Sequence, residues 1–176
     1  IKQVVQKQTV KLHEPFFNGN EKKYINECIE TNYVSTVGQF VVKFQEKLKS
    51  FTNSKYIIPV INGTSALHIA LRVCNVNYGD EVILPSMTFI ATANSVSYCG
   101  AVPHFVDVDN ETLGINPIKL LMHLKNIIKF ENKTPINKNT GRKIKAIIPM
   151  HTFGHPCKIN TINEIAKQFN LKVVED

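Results

Sequence analysis

The sequence predicts an α/β fold: a mostly parallel sheet with helices on both faces. Three observations predict it. From residue 56 onward, short apolar runs alternate with segments of helical period. The runs at Tyr56–Ile61, Glu81–Leu84 and Ile144–Met150 are nearly continuous instead of alternating apolar with polar. Strands of that kind are buried on both faces, so helices must lie above and below them and the connections must cross over. Finally, the composition is that of a globular domain, with 43% hydrophobic and 20% charged residues in 176. This balance excludes wholesale disorder and low-complexity fibre. No stretch approaches the ~18 uninterrupted apolar residues of a membrane span, and no apolar leader is visible at the start.

The elements follow in order. Residues 1–20 are irregular, with an edge strand near Val4 to Val10. Asn20 and Glu21 form a helix start, and Tyr24, Cys28 and Ile29 continue it at helical spacing. The stretch TNYVSTVG at Thr31–Gly38 breaks it. A second helix over Gln39–Phe51 carries Phe40, Phe44 and Leu48 on one face. These residues make an N-terminal helical segment, 1–54, ahead of an α/β part, 55–176.

In the α/β part, Tyr56–Ile61 reads as a buried strand, Asn62–Ser65 as a turn and Ala66–Cys74 as an apolar helix. Glu81–Leu84 is the next strand, Thr88–Tyr98 a small-residue helix and Ala101–Val108 a third strand. Pro117 suits a first helical turn, and Leu120, Leu121 and Leu124 continue the helix. Residues 130–143 are polar and read as a loop. Ile144–Met150 is a strand, Ile159–Phe169 a helix and Leu171–Val174 a last strand. No internal repeat is visible.

The net charge is +7, but of the 21 basic residues only Arg72 and Arg142 are arginines, leaving 19 lysines. Nucleic-acid readers depend on arginine for bidentate contacts. Scattered lysine among abundant Asn and Ile reads instead as a solvated basic face, so no nucleic-acid partner is expected. Cys28, Cys74, Cys99 and Cys157 form no CxxC pair, and a disulfide scaffold is not expected at this size. Cys74 and Cys99 read as buried thiols, and a reducing, cytoplasmic setting follows. His151, His155 and Cys157 have the wrong context for a metal site, because Gly154 and Pro156 make the stretch a loop and no fourth ligand is near. Asp107 and Asp109 read as loop caps, and Cys99 with His104 as a buried thiol beside a strand.

In parallel sheets, ligands bind beyond the carboxyl ends of the strands. Three features fall there. Asn62-Gly63-Thr64-Ser65 opens a helix, whose free N–H groups, with two hydroxyls, could cradle an anion; Gly63 permits close approach. The spacing fits neither the dinucleotide nor the Walker loop. A plain cap by Thr64 or Ser65 is the alternative. Phe89 follows a strand and could stack on a flat ring or cover the sheet edge. Glu175 and Asp176 follow the last strand, where a carboxylate could meet a cationic ring nitrogen, a metal or a helix terminus.

Taken together, NGTSALHIAL, GDEVILPSMTFIATANSV, CGAVPHFVDVD and KAIIPMHTFGHPCKINTINEIAKQFNLKVVED resemble the DegT/DnrJ/StrS-type sugar aminotransferases. These are fold-type I enzymes dependent on pyridoxal 5′-phosphate (PLP). The resemblance covers roughly residues 11 to 176. The opening stretch LHEPFFNGNEKKYINECIETNYVSTVGQFVVKFQ resembles the legionaminic-acid pathway branch of that family. The resemblance implies that Gly63, Thr64 and Ser65 hold the PLP phosphate, that Phe89 stacks on the pyridine ring and that Asp176 pairs with the ring nitrogen. His151 and Asn94 stand in matching motifs without an assigned contact, His151 on the Asp176 side of the ring. Ser35, Thr36 and Gly38 match a stretch near the sugar nucleotide, with a bare helix–helix connection as the alternative.

The implied reaction moves an amino group, with glutamate as donor, onto C4 of a UDP-linked 4-keto-6-deoxy sugar for nonulosonic acid or surface polysaccharide synthesis. The implied enzyme is a homodimer. The family's cofactor-linked lysine falls beyond Asp176, so the chain is expected to be the N-terminal part of a longer polypeptide and inactive by itself. A dehydratase of the same family, and a phosphate-binding segment without chemistry, are the alternative readings.

Overall fold

The computed structural model describes residues 15–176. The strand expected near Val4 to Val10 lies outside them. The chain divides into two compact bodies, Ile1–Pro59 and Val60–Asp176.

In the first body, α1 (Glu21–Glu30) and α2 (Gln39–Thr52) are joined by the exposed stretch 31–38. Asn20 occupies the cap position of α1 without a side-chain bond, and Glu21 instead accepts the Gly19 N–H at 2.9 Å. Neither helix buries a residue fully. Tyr24 and Phe40 meet with ring centroids 4.9 Å apart, and the Gln45 amide donates to the Ile57 carbonyl at 3.0 Å.

The second body is the expected parallel α/β unit. It runs α3 (Gly63–Val73), β1 (Glu81–Pro85), α4 (Ile90–Tyr98), β2 (Val102–Val106), α5 (Pro117–Ile127), β3 (Ile128–Glu131), β4 (Thr134–Asn137), β5 (Ile144–Ile147), α6 (Ile159–Gln168) and β6 (Lys172–Val173). The main sheet has the order β2-β1-β5-β6, with every pair parallel. Every residue of β1 is buried. Val82 and Leu84 face Leu67 and Leu71 of α3 and Val96 of α4, while Ile83 faces the opposite cluster with Leu120 and Leu124 of α5 and Ile162 and Ile165 of α6. Helices therefore cover both faces, as parallel strands with continuous apolar sequence require.

The register of β5 shifts against β1 between Glu81 and Val82: Glu81 opposes Ile144, but Val82 opposes Ala146. Lys145 is the extra residue of a bulge. It lets Ile144 and Ile147 join one core while Ala146 and Ile148 join the other.

Three expectations are corrected. Tyr56–Ile61 forms no strand; Tyr56, Ile58 and Ile61 are exposed. Pro59 has no N–H to give a ladder, and no strand among the described residues pairs with the run. Residues 130–143 are not all loop, because β3 and β4 form an antiparallel hairpin from Ile128↔Asn137 to Glu131↔Thr134. Asn132 and Lys133 adopt the left-handed backbone of its two-residue turn. Cys99 is buried as expected, but Cys74 is only half-buried.

The hairpin's far end satisfies a buried carboxylate. Glu81, 2% exposed, accepts from the Asn137 amide (2.9 Å), the Thr140 hydroxyl (2.6 Å) and His104 Nδ1 (3.0 Å). His104 Nε2 lies 2.7 Å from His123 Nε2, so the two rings have room for one proton between them. Burial by itself would raise the Glu81 pKa, but the bonds from Asn137, Thr140 and His104 outweigh it and hold the carboxyl below its ordinary value. Burial, then the neighbouring His104, lowers His123.

Both shifts act in one direction. A group whose pKa is lowered on folding stabilises the fold fully above its unfolded pKa, and the contribution is lost as pH falls through the folded value. Urea denaturation over a pH series should therefore show stability falling from below about pH 6.5 because of His123, and again below about pH 4.3 because of Glu81. His123→Gln should remove the upper step and Glu81→Gln the lower. Asn137→Ala should cost about 1–3 kcal/mol at neutral pH by leaving the carboxylate short of a donor.

Candidate functional site

The chain leaves β1 through α4 on one face of the sheet, and leaves β5 through α6 on the other. Adjacent strands whose connections diverge in this way open a crevice beyond their carboxyl ends. The segments there are Ser86–Phe89 after β1, Pro149–His151 after β5 and Val174–Asp176 after β6.

The ladder continues past the regular strands on this side. Val174 N–H donates to the Ile147 carbonyl (3.0 Å), Asp176 N–H to Pro149 (3.0 Å) and His151 N–H to the Asp176 carbonyl (2.9 Å). The backbone of Asp176 is thus held in both directions. Its side chain is held as well: the Thr92 hydroxyl donates to Oδ2 at 2.5 Å, and the Thr88 hydroxyl donates to Thr92 Oγ1 at 2.7 Å. Thr92 is fully buried in α4.

Phe89 sits at the cap position of α4, 71% exposed, so it does not cover a sheet edge. Its carbonyl accepts the Thr92 N–H at 3.1 Å, which ties the aromatic position to the residue that holds Asp176. Asn94 is half-buried on the same helix, and its side chain makes no hydrogen bond among the described residues.

His151 does not touch the Asp176 carboxylate with its ring. Cys157 N–H donates to His151 Nδ1 (3.2 Å), so Nε2 carries the proton in the neutral ring and faces Glu175 Oε2 at 3.0 Å. Its link to Asp176 runs through the backbone. The Cys157 thiol is pushed up by burial and by the charges of Glu175 and Asp109, which disfavours thiolate chemistry there. A Cβ at Gly114 would lie 2.6 Å from the Cys157 Cβ, so glycine lets this loop lie against the turn after β2. No group of three or more His, Cys, Asp or Glu able to hold a metal occurs among the described residues.

At the start of α3, the alternative of a cap by Thr64 or Ser65 does not hold. The cap residue is Asn62, whose Oδ1 accepts Ser65 N–H at 2.8 Å. Thr64 and Ser65 do not cap, and their hydroxyls make no hydrogen bond among the described residues. The first N–H groups of a helix have no acceptor within it. Those of Gly63 and Thr64 find none among the described residues. Among the described residues, no atom beyond its chain neighbours and its own helix backbone lies within 4 Å of where a Gly63 Cβ would stand, so the terminus is open. Its N–H groups and the helix dipole favour an anion.

Ser35, Thr36 and Gly38 belong to the first body, in the exposed connection between α1 and α2. Ser35 and Gly38 line an apolar cleft of about 640 Å³ with Tyr24, Ile29, Phe40 and Phe44.

Sequence reasoning missed Asn62 and Thr92. Asn three residues before Ser65, at the start of an apolar period, is a readable cap signal. Thr88 and Thr92 have i,i+4 spacing, but Thr92 meets Asp176 across 84 residues, and no local pattern encodes that contact.

Comparison with known proteins gives a consistent picture. The model of the DegT/DnrJ/EryC1/StrS aminotransferase family matches residues 16–176. A GDP-perosamine synthase of Escherichia coli O157:H7 is 39% identical over 167 residues, covering 95% of this chain and 42% of that protein. The X-ray structure of the aminotransferase from Psychrobacter cryohalolentis superposes with a TM-score of 0.76 at 33% identity, over 92% of this chain and 37% of that one. Bacillus subtilis NtdA, solved with bound cofactor PMP, superposes with a TM-score of 0.74 at 29% identity, over 97% and 38%. The chain spans about 40% of the length of the curated relatives it matches.

Two outcomes test the local geometry. Asn62→Ala should lower stability by about 1 kcal/mol, read by thermal or urea unfolding, because the Ser65 N–H loses its acceptor. Long-range nitrogen–proton NMR should find the neutral His151 protonated at Nε2; protonation at Nδ1 would contradict the Cys157 bond.

Proposed function

The chain belongs to the DegT/DnrJ/EryC1/StrS aminotransferase family, and we propose that it forms the cofactor-binding part of a PLP-dependent sugar aminotransferase. The observation that carries this reading is the carboxylate of Asp176, anchored by backbone and hydroxyl at the carboxyl ends of parallel strands. An open helix terminus at Gly63 lies in the same body.

The residues fit the cofactor chemically. A phosphate dianion needs several donors and open approach. Among the described residues, the N–H groups of Gly63 and Thr64 are unpaired and no side chain blocks Gly63, while Thr64 and Ser65 offer hydroxyls. A flat ring needs an accessible aromatic face, which the exposed Phe89 can supply. A ring nitrogen that is to stay protonated needs a fixed carboxylate, and Asp176 has one oxygen, Oδ1, left without a hydrogen-bond partner among the described residues.

Bound PLP supplies an electron sink conjugated to the carbon that gains or loses the amino group. The chain's own residues prepare for that. The terminus of α3 binds the phosphate end and fixes its position, aided by the helix dipole. Phe89 orients the ring plane. Asp176 holds a proton at the ring nitrogen, since a carboxylate beside a basic nitrogen favours its cationic form. Asn94 and His151 lie beside these elements, His151 bracing the Asp176 backbone.

The substrate reading is a nucleotide-linked keto-sugar with glutamate as amino donor. The legionaminic-acid-like stretch from Leu12 to Gln45 supports a UDP-linked 4-keto-6-deoxy sugar and a nonulosonic acid product, with Ser35, Thr36 and Gly38 on the nucleotide side. The relative named GDP-perosamine synthase supports a GDP-linked one. A homodimer and a cytoplasmic location belong to the same reading. No helix among the described residues is long and apolar enough to cross a membrane, and the described cysteines are all free.

The test uses a polypeptide of the relatives' length that carries this segment. With PLP and glutamate, it should aminate the UDP-linked keto-sugar faster than GDP- or dTDP-linked ones, with amino sugar identified by mass. A faster GDP reaction would overturn the UDP assignment. Deoxygenation without amino transfer would overturn the aminotransferase reading in favour of the dehydratase. Asp176→Ala should abolish turnover with an unchanged far-ultraviolet dichroism spectrum; undiminished turnover would remove the ring-nitrogen role.

A further inference from the structure

We propose that Thr92 is a positioning residue for the Asp176 carboxylate, and that Thr88 and Thr92 together form a one-way hydroxyl chain selecting which carboxylate oxygen meets the cofactor ring. The proposal rests on the reading of Asp176 given above.

The direction of the chain follows from proton counting. A carboxylate only accepts hydrogen bonds, and a hydroxyl has one proton to donate. At 2.5 Å from Asp176 Oδ2, Thr92 must donate its proton to that oxygen. Its lone pair is then free to accept, and the Thr88 hydroxyl is 2.7 Å away. Both bonds are donated toward Asp176, the direction that suits an accepting carboxylate. Donation from Thr88 polarises Thr92 and strengthens its bond to the charge.

The chain also fixes geometry. Thr92 is fully buried, with no water to compete for its hydroxyl. Its backbone is anchored by its N–H to the Phe89 carbonyl (3.1 Å), and the Ser95 hydroxyl donates to its own carbonyl (2.7 Å). With Oδ2 engaged by Thr92, Oδ1 is the oxygen without a partner among the described residues and is the one left to face the ring nitrogen. One turn of α4 thus carries both the aromatic residue for the ring plane and the hydroxyl that aims the carboxylate at the ring edge.

The test uses the PLP-loaded polypeptide of the relatives' length, with cofactor labelled at the ring nitrogen. Nitrogen NMR at one fixed pH reads the protonated fraction, and equilibrium dialysis reads PLP affinity. Thr92→Val keeps the shape and deletes the hydroxyl; Thr92→Ser keeps the hydroxyl. Thr92→Val should move the ring-nitrogen resonance toward the unprotonated position and weaken PLP binding about tenfold, the scale of one lost charge-assisted bond. Thr92→Ser should restore both, and Thr88→Val should give a smaller change of the same sign.

Asp176→Asn separates the two layers. If it moves the resonance and Thr92→Val does not, the positioning role is overturned while the Asp176 reading stands. If Asp176→Asn leaves the resonance unmoved, the reading itself falls, and the positioning role with it. Equal losses in Thr92→Val and Thr92→Ser would show that packing, not the hydroxyl, is what Thr92 supplies, and would also overturn it. Should Thr92→Val not fold, Thr92→Ser and Thr88→Val decide by the same resonance. A parent-like resonance in Thr92→Ser together with a shifted one in Thr88→Val supports the chain, and any other pairing overturns it.

Discussion

A strand buried on both faces leaves nowhere for a charge to go, and β1 is such a strand from end to end. Its apolar side chains alternate between two cores, and each core needs its own pair of helices. That demand sets the layering, the crossovers and the divergence of connections that opens the crevice. Glu81 is the exception that shows the cost. A carboxylate buried at the start of β1 is tolerated because three donors converge on it from β2, the hairpin strand β4 and the turn after it. Ionised groups leave water only when hydrogen-bonded or paired.

The opposite ends of the strands use the same physics differently. Asp176 is exposed, and only one of its carboxylate oxygens is bonded within the described residues, to the buried Thr92. At Glu81 three donors reach both oxygens and hold the buried group in place. At Asp176 one donor reaches one oxygen and leaves Oδ1 without a partner among the described residues. The α3 terminus follows the same pattern, since Asn62 takes the Ser65 N–H and leaves those of Gly63 and Thr64 open.

Much of this was legible in the residues. The continuous apolar runs at Glu81–Leu84 and Ile144–Met150 gave the parallel sheet, because only doubly covered strands have that pattern. Pro117 marked the first turn of α5, where its missing N–H costs nothing, and the structure adds Asn116 as the cap. What was not legible depended on partners. Tyr56–Ile61 has the composition of a buried strand but no neighbour to pair with among the described residues, and apolar composition alone does not create one. The hairpin β3–β4 was hidden because ENKTPIN is polar on its surface side; Pro135, Ile136 and Asn137 are buried, while Phe130 and Glu131 are exposed. Thr92 looked like one small residue among several. Its contact with Asp176 spans 84 positions and exists only once the sheet has formed.

The bulge at Lys145 bears on how the chain tolerates changes in length. Downstream of it, each residue of β5 is assigned to one core or the other by parity, and His151 and its bond to Asp176 inherit that phase. Inserting or deleting one residue between Ile144 and Ile148 would therefore not be a local event. It would exchange the two faces and turn every later side chain of the strand to the wrong side. The tip of the β3–β4 hairpin, by contrast, can grow or shrink without altering that phase. A change of length is accordingly tolerated by the geometry at residues 131–134 and disruptive a dozen positions later.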